Sequence, residues 1–211
     1  MSTILKWSSI TVVLVGTAMA VLAQNRSGNS IQFDFKDPKG INTIGIFLDS
    51  PLEPIRGLAS GVSGVISYDP SHPESFSGKI LVDAGSIGLS NAKMTDVMGS
   101  EAWLDVRRYF AVQFSFDQVT LVSTNEAGVA TLKVNGHLRV AGIERPMTVV
   151  IKAAYLQNAA AKRGGALSGD LLILRGQFVI QRDLFKIQVG KYLDKVANDV
   201  QIDVAIVGYS R

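Results

Sequence analysis

Apolar and polar residues alternate with a period of two along most of this chain, the spacing that turns one face of a β-strand to a core and the other to water. The pattern is sharpest in residues 136–151. Leu138 and Val140 alternate with polar neighbours before a turn, and Met147, Val149 and Ile151 alternate after it. Gly142 supplies the permissive φ of the bend and Pro146 stands where a second strand begins, so the segment predicts a β-hairpin whose second strand runs on to about Tyr155. The same alternation predicts strands at residues 31–35, 42–48, 62–68, 78–84, 112–116, 132–140, 172–180 and 200–206. Between them, the two prolines of residues 49–57 predict an irregular connection, residues 69–74 a loop, and the Ala- and Gly-rich residues 158–169 a flexible surface loop.

Residues 90–108 break this period. Ser90 or Asn91 is placed to cap a helix in which Met94, Val97 and Met98 share one apolar face, and Gly99 stops it. Ser100 is placed to cap a second short helix, with Glu101 in its first turn, Arg107 and Arg108 in its last, and Trp103, Leu104 and Val106 as its apolar residues. Seven to nine alternating strands, one helical insertion and no βαβ rhythm predict a mainly β fold, an antiparallel barrel or sandwich in which the helical stripe covers one end. A barrel of about eight strands either fills its interior with side chains or holds one small ligand, and alternation alone leaves both open.

Composition narrows the class. The chain has 211 residues, 47% of them hydrophobic and 18% charged, which suits one domain with a large core. A net charge of +3, dispersed along the chain, argues against nucleic acid as a partner. Residues 1–23 combine Lys6, an apolar run over residues 10–22 and small residues before Gln24, and they predict a signal peptide cleaved after Ala23, or less favourably after Ala20. Its removal leaves 20 basic residues against 18 acidic ones. A retained membrane anchor is the alternative, although the uncharged run is at the short end for a span. Residues 24–30 are a polar tail and 31–211 the domain. Without cysteine the chain holds no disulfide and no lipobox, and the expected address is periplasmic or secreted.

Candidate chemistry is sparse. His72 and His137 are the only histidines, too few for a His-rich metal site, and no Gly-x-Ser-x-Gly elbow or phosphate loop is present. The expectation is a protein that is not an enzyme, with no catalytic residue and no metal ligand. Arg182 followed by Asp183 reads best as an ion pair at a strand end, ahead of contact with a ligand headgroup.

Several of these segments together resemble the YceI-like family, the lipocalin-like polyisoprenoid-binding proteins of bacteria. The resemblance rests on the hairpin of residues 136–151, on Ser86-Ile87 closing the strand before the helix, on Asn91, Asp96, Met98, Leu104-Asp105 and Arg108-Tyr109, and on Phe178, Arg182, Phe185 and Ile187. Trp103 takes an aromatic position, while Thr95, Gly99, Phe110 and Lys186 depart from the family pattern. The resemblance implies a lipocalin-like barrel holding a long apolar molecule, a polyisoprenoid, an isoprenoid quinone or a related lipid. An apolar tunnel would then be lined by Met94, Met98, Trp103, Leu104, Phe110, Phe114, Phe116, Leu138, Phe178, Ile180 and Phe185. Ordinary core packing is the competing account of the same residues. No cofactor is expected beyond such a bound lipid or quinone, membrane contact is at most transient, and a homodimer is compatible with the sequence. The other readings are a solid, stress-related or structural barrel that binds a protein partner through surface loops and, more weakly, an enzyme using the barrel as a scaffold.

Overall fold

The computed structural model describes residues 30–164 and 167–210. The predicted leader, its cleavage site and the first part of the polar tail lie outside the described residues. Eleven strands are joined in one antiparallel sheet: β1 (Ile31–Asp34), β2 (Thr43–Asp49), β3 (Pro54–Ala59), β4 (Val62–Asp69), β5 (His72–Asp83), β6 (Ile87–Leu89), β7 (Ala111–Thr124), β8 (Val129–Val140), β9 (Ile143–Leu156), β10 (Leu171–Gln181) and β11 (Asp199–Ser210). One helix, α1 (Ala92–Gly99), follows β6.

The sheet closes. Strand β11 pairs with β10 on one side, and on the other with β2 through Gln201↔Phe47 and with β1 through Tyr209↔Asp34. Strands β1 and β2 thus form one interrupted stave. Strands β3 and β4 form the next, since β3 pairs with β2 and β4 with β1, and β5 with β6 forms the third. With β7 to β11 as single staves, the result is an eight-stave up-and-down barrel in which chain neighbours are space neighbours.

Local chemistry explains the turns. The β8–β9 hairpin closes through Ala141 and Gly142, both at positive φ (47° and 76°), the twist that a two-residue hairpin turn requires. In the second and third staves, Gly64 and Gly78 have φ of +133° and +137°, and a Cβ on either would strike the carbonyl oxygen of Lys79 or Val65 across the ladder. That close approach needs glycine.

Four segments differ from the sequence expectations. The prolines of 49–57 confine the irregular stretch to residues 50–53, because Pro54 opens β3 at a position where a missing N–H costs nothing in the ladder. Residues 69–74 form a tight hairpin whose second strand begins at His72. Strand β7 continues to Thr124, well past Phe116, paired to β8. The predicted second helix is a series of turns over residues 101–108, with Asp105 at φ 46°, a left-handed residue that a continuous helix does not accommodate.

The two ends of the barrel are built differently. At the end holding the β4–β5 and β7–β8 turns, Phe33, Phe35, Tyr68, Phe76, Leu132 and Leu172 are each no more than 3% exposed and form a solid core. The buried Asp37 carboxylate ties the segment after β1 to β11 there, accepting from the backbone N–H groups of Lys39 and Ile41, from Tyr209 and from Arg163. Burial alone would raise its pKa, but these donors more than offset it and hold the carboxyl below the usual value. At the other end lie α1, residues 100–110 and residues 182–198.

Candidate functional site

Strand alternation and the observed register send Ile44, Ile46, Phe178, Ile180, Ile202 and Val204 inward on the β10–β11–β2 wall. Val112, Phe114 and Met147 point inward from the facing wall. All nine are half-buried, although they point into a closed barrel. A side chain aimed inward keeps accessible surface only where the interior has room beside it. The apolar interior accordingly divides into separate clusters: one at the solid end, and others around Leu138 and Phe185, around Leu48 and Val200, and around Ala59 and Val82. The half-buried Ile44, Ile46, Phe114, Met147 and Ile180 each pack on two of these clusters and join them across the interior. At Gly136 a Cβ would strike the Ser115 carbonyl oxygen and stand 3.0 Å from the Phe114 ring, so glycine lets that ring lie close against the wall.

The sequence-predicted residues divide by place. Phe114, Phe178 and Ile180 face the barrel interior, with Leu138 (6% exposed) and Phe185 (4% exposed) packed at its helical end. Trp103 and Leu104 pack on that same cluster, and Met98 packs on Ala59, Val82 and Ile87. Phe116 lies nearer the solid end, its ring 5.0 Å from Phe76 and 5.4 Å from Phe114. Met94 is half-buried on α1. Phe110 does not join them: its side chain is 74% exposed, because the turns of residues 101–108 present it to solvent. Val97 also departs from the expected apolar face and stands 47% exposed, so α1 sits at the barrel end on Met98 alone of that stripe's strongly packed residues. Asn91 caps the helix by accepting from the Met94 N–H. The aliphatic wall of Ile44, Ile46, Ile202 and Val204, together with Met147, went unselected in the sequence, where size favoured aromatic residues. The period-two parity that singled out Phe178 carries the same signal for them.

The helical end is held by a buried cation. Arg182 donates to the carbonyls of Ile187, Gln188, Lys191, Val196 and Ala197, and its guanidinium lies 5.8 Å from the Trp103 ring. Burial pushes its pKa below the ordinary value, with Asp183 acting the other way. The expected ion pair with Asp183 is replaced by this carbonyl cage, which fixes residues 186–198 over the barrel end. Trp103 stacks on Tyr192 at 6.3 Å, and Gln188 Nε2 donates to the Ala102 carbonyl, joining the two covering segments. Lys186 stands at φ 57°, the left-handed position where the family pattern has glycine.

No group of three metal-ligating side chains gathers among the described residues. His137 pairs with Asp117 at 2.6 Å on the outer face. A depression of about 830 Å³ crosses β10, β11, β2, β3 and β6; Phe47 under Arg56, Leu58 and Val179 border it from the outer face, and the inward residues Ile46, Phe178 and Ile202 also border it.

A family model described as the YceI-like domain matches residues 29–208. The chain belongs to the YceI-like family. Among its relatives, a UPF0312 protein of Pseudomonas fluorescens is 26% identical over 156 residues, 73% of this chain and 74% of that protein. The crystal structure of Burkholderia cenocepacia BcnA has a TM-score of 0.65 at 22% identity, covering 79% of this chain and 95% of that one. A Saccharophagus degradans structure described as a polyisoprenoid binding domain has a TM-score of 0.59 at 10% identity, covering 86% and 99%. At these identities the structures establish a shared fold, and the YceI-like barrel is that fold.

Proposed function

We propose that this YceI-like protein is a non-catalytic carrier or sequestering protein that holds a long apolar molecule, a polyisoprenoid, an isoprenoid quinone or a related lipid, in its barrel. The observation that supports this reading is the half-burial of the inward-facing aliphatic and aromatic residues around Phe178. Each CH₂ moved from water into such surroundings is worth about 0.8 kcal/mol, so a long tail binds firmly without any reactive group. The description of the Saccharophagus relative as a polyisoprenoid binding domain points to the same ligand class. The predicted leader supports an address outside the cytoplasm, tested by N-terminal sequencing of exported protein, which is expected to begin near Gln24. No helix of the described residues is long and apolar enough to cross a membrane.

The test is native mass spectrometry with lipid extraction of purified wild type and Phe178→Trp. Wild type is expected to carry a lipid and the variant to lose it, because the larger ring fills space the tail needs. A wild type that never carries lipid, together with a Phe178→Trp variant that unfolds at lower urea, would instead show a filled barrel.

A further inference from the structure

Register pairs β9 with β10 from Leu156↔Leu171 to Ile151↔Gly176 and no further, although β9 begins at Ile143 and β10 continues to Gln181. Past Gly176 each strand keeps its other neighbour, β8 for β9 and β11 for β10, and the two part. A cavity of about 310 Å³ opens in the wall where Thr148 and Val179 would otherwise face each other, lined by Pro146, Met147, Val179, Ile180 and Leu184 among others. Met147 and Ile180 also face the barrel interior, so the gap leads inward.

Three features mark this edge as a lasting one. Pro146 has no N–H to offer a partner strand, and such residues are tolerated at edges. Arg145, opposite the buried Leu138, is the one charged residue at an inward-parity position of β9 and is exposed there, and a charge on a bare edge discourages pairing with another strand. Its Nε donates to the Leu184 carbonyl at 3.0 Å and so crosses the gap at its outer end. The rim is mixed: Val179 and Leu184 are each about half exposed (50% and 48%), and Arg145, Gln181 and Asp199 stand beside them. The other routes are obstructed, the solid end by Phe33, Phe76 and Leu132 and the helical end by the stacked Trp103 and Tyr192 above Phe185.

We infer that the β9–β10 seam is a lateral doorway through which a linear apolar chain passes into and out of the lumen, latched by the Arg145–Leu184 hydrogen bond; this rests on the lumen reading above. The chain lacks cysteine, so Thr148→Cys/Val179→Cys bridged by a short bifunctional thiol reagent closes the seam selectively. Lys152→Cys/Arg175→Cys, bridged across a pair already in register, is the control. The probe is parinaric acid, followed by its fluorescence in stopped flow. Closing the seam is expected to slow both uptake and release by about tenfold, with little change in equilibrium affinity, because a doorway acts on rates. Arg145→Ala, which removes the latch, is expected to raise both rates about threefold. Equal rates in bridged seam, unbridged seam and control would overturn the doorway while leaving the lumen intact. A wild type that takes up no probe would overturn both.

Discussion

Two of the places where neighbouring staves part have opposite consequences. Strands β5 and β7 pair from Lys79↔Ser115 to Asp83↔Ala111, although β5 begins at His72 and β7 continues to Thr124. As at the β9–β10 seam, each strand past the split keeps a single neighbour. Here the gap is filled: Phe76 is 3% exposed, with its ring 5.0 Å from Phe116 and 6.0 Å from Tyr68. At the second split, continuing the register, Phe178 falls opposite Val149 and Ile180 opposite Met147, and a cavity persists beside Met147 and Ile180. The backbone event is the same at both, and what separates a sealed split from an open one is whether the inward side chains meet across it. The tilted Phe76 and Phe116 rings replace lost ladder bonds with dispersion and area burial. At the other split Pro146 and the charge of Arg145 mark the bare edge.

The largest effect should come from unplugging the filled split. Phe76→Ala is expected to cost about 3–5 kcal/mol in urea denaturation, the range for losing a large buried aromatic. A cost under about 1 kcal/mol would mean that the ring is not what seals the wall. The next effect tests solid against hollow in the same assay. Leu132→Phe, at a fully buried position, should cost about 1–3 kcal/mol by overpacking, while Phe178→Trp at a half-buried inward position should cost less than about 1 kcal/mol. Equal costs would erase the distinction between the two ends.

A titration probes how the solid end is locked. Burial and the hydrogen bond to Asp170 raise the Tyr155 pKa from 10.0 to about 12. Below pH 10 the hydroxyl is protonated in both folded and unfolded chains, so its contribution is intact. As pH rises from 10 to about 12 the unfolded chain ionises first and stability falls, with the loss complete once the folded value is passed. The decline should be on the order of 1 kcal/mol, because Tyr155 is part exposed. Tyr155→Phe should remove that component from the pH profile of the unfolding midpoint. The smallest effect belongs to the open rim: Val179→Ser should change stability by no more than about 0.5 kcal/mol, since the side chain is half exposed and covers little. A larger loss would show that the rim packs against something in the folded chain.

Much of the barrel was legible from alternation. The hairpin of residues 136–151 has the predicted turn, and Phe114, Phe178 and Ile180 point inward as their parity required. Proline misled twice, at residues 49–57 and 69–74, because a proline that opens a strand at an edge looks the same in sequence as one in a loop. Phe110 was grouped with the lining residues on size, but its backbone follows left-handed turns that no local pattern announced. Arg182 was seen beside an acid and paired with it, whereas five carbonyls brought close by residues 187–197 claim its guanidinium.

Period-two spacing is a local property of an extended chain, and by itself it determined which side chains face the interior and where the sharpest hairpin lies, while the eight staves emerged only when short strands paired end to end around the barrel. Whether that interior is filled or hollow was decided only when the staves closed, because cavity volume depends on side chains brought together from opposite walls. Where neighbouring staves part was likewise a tertiary outcome. A strand's own alternation is the same whether its edge is paired or bare, and only the packing of Phe76 with Phe116, or of Met147 with Ile180, distinguishes a sealed wall from an open one.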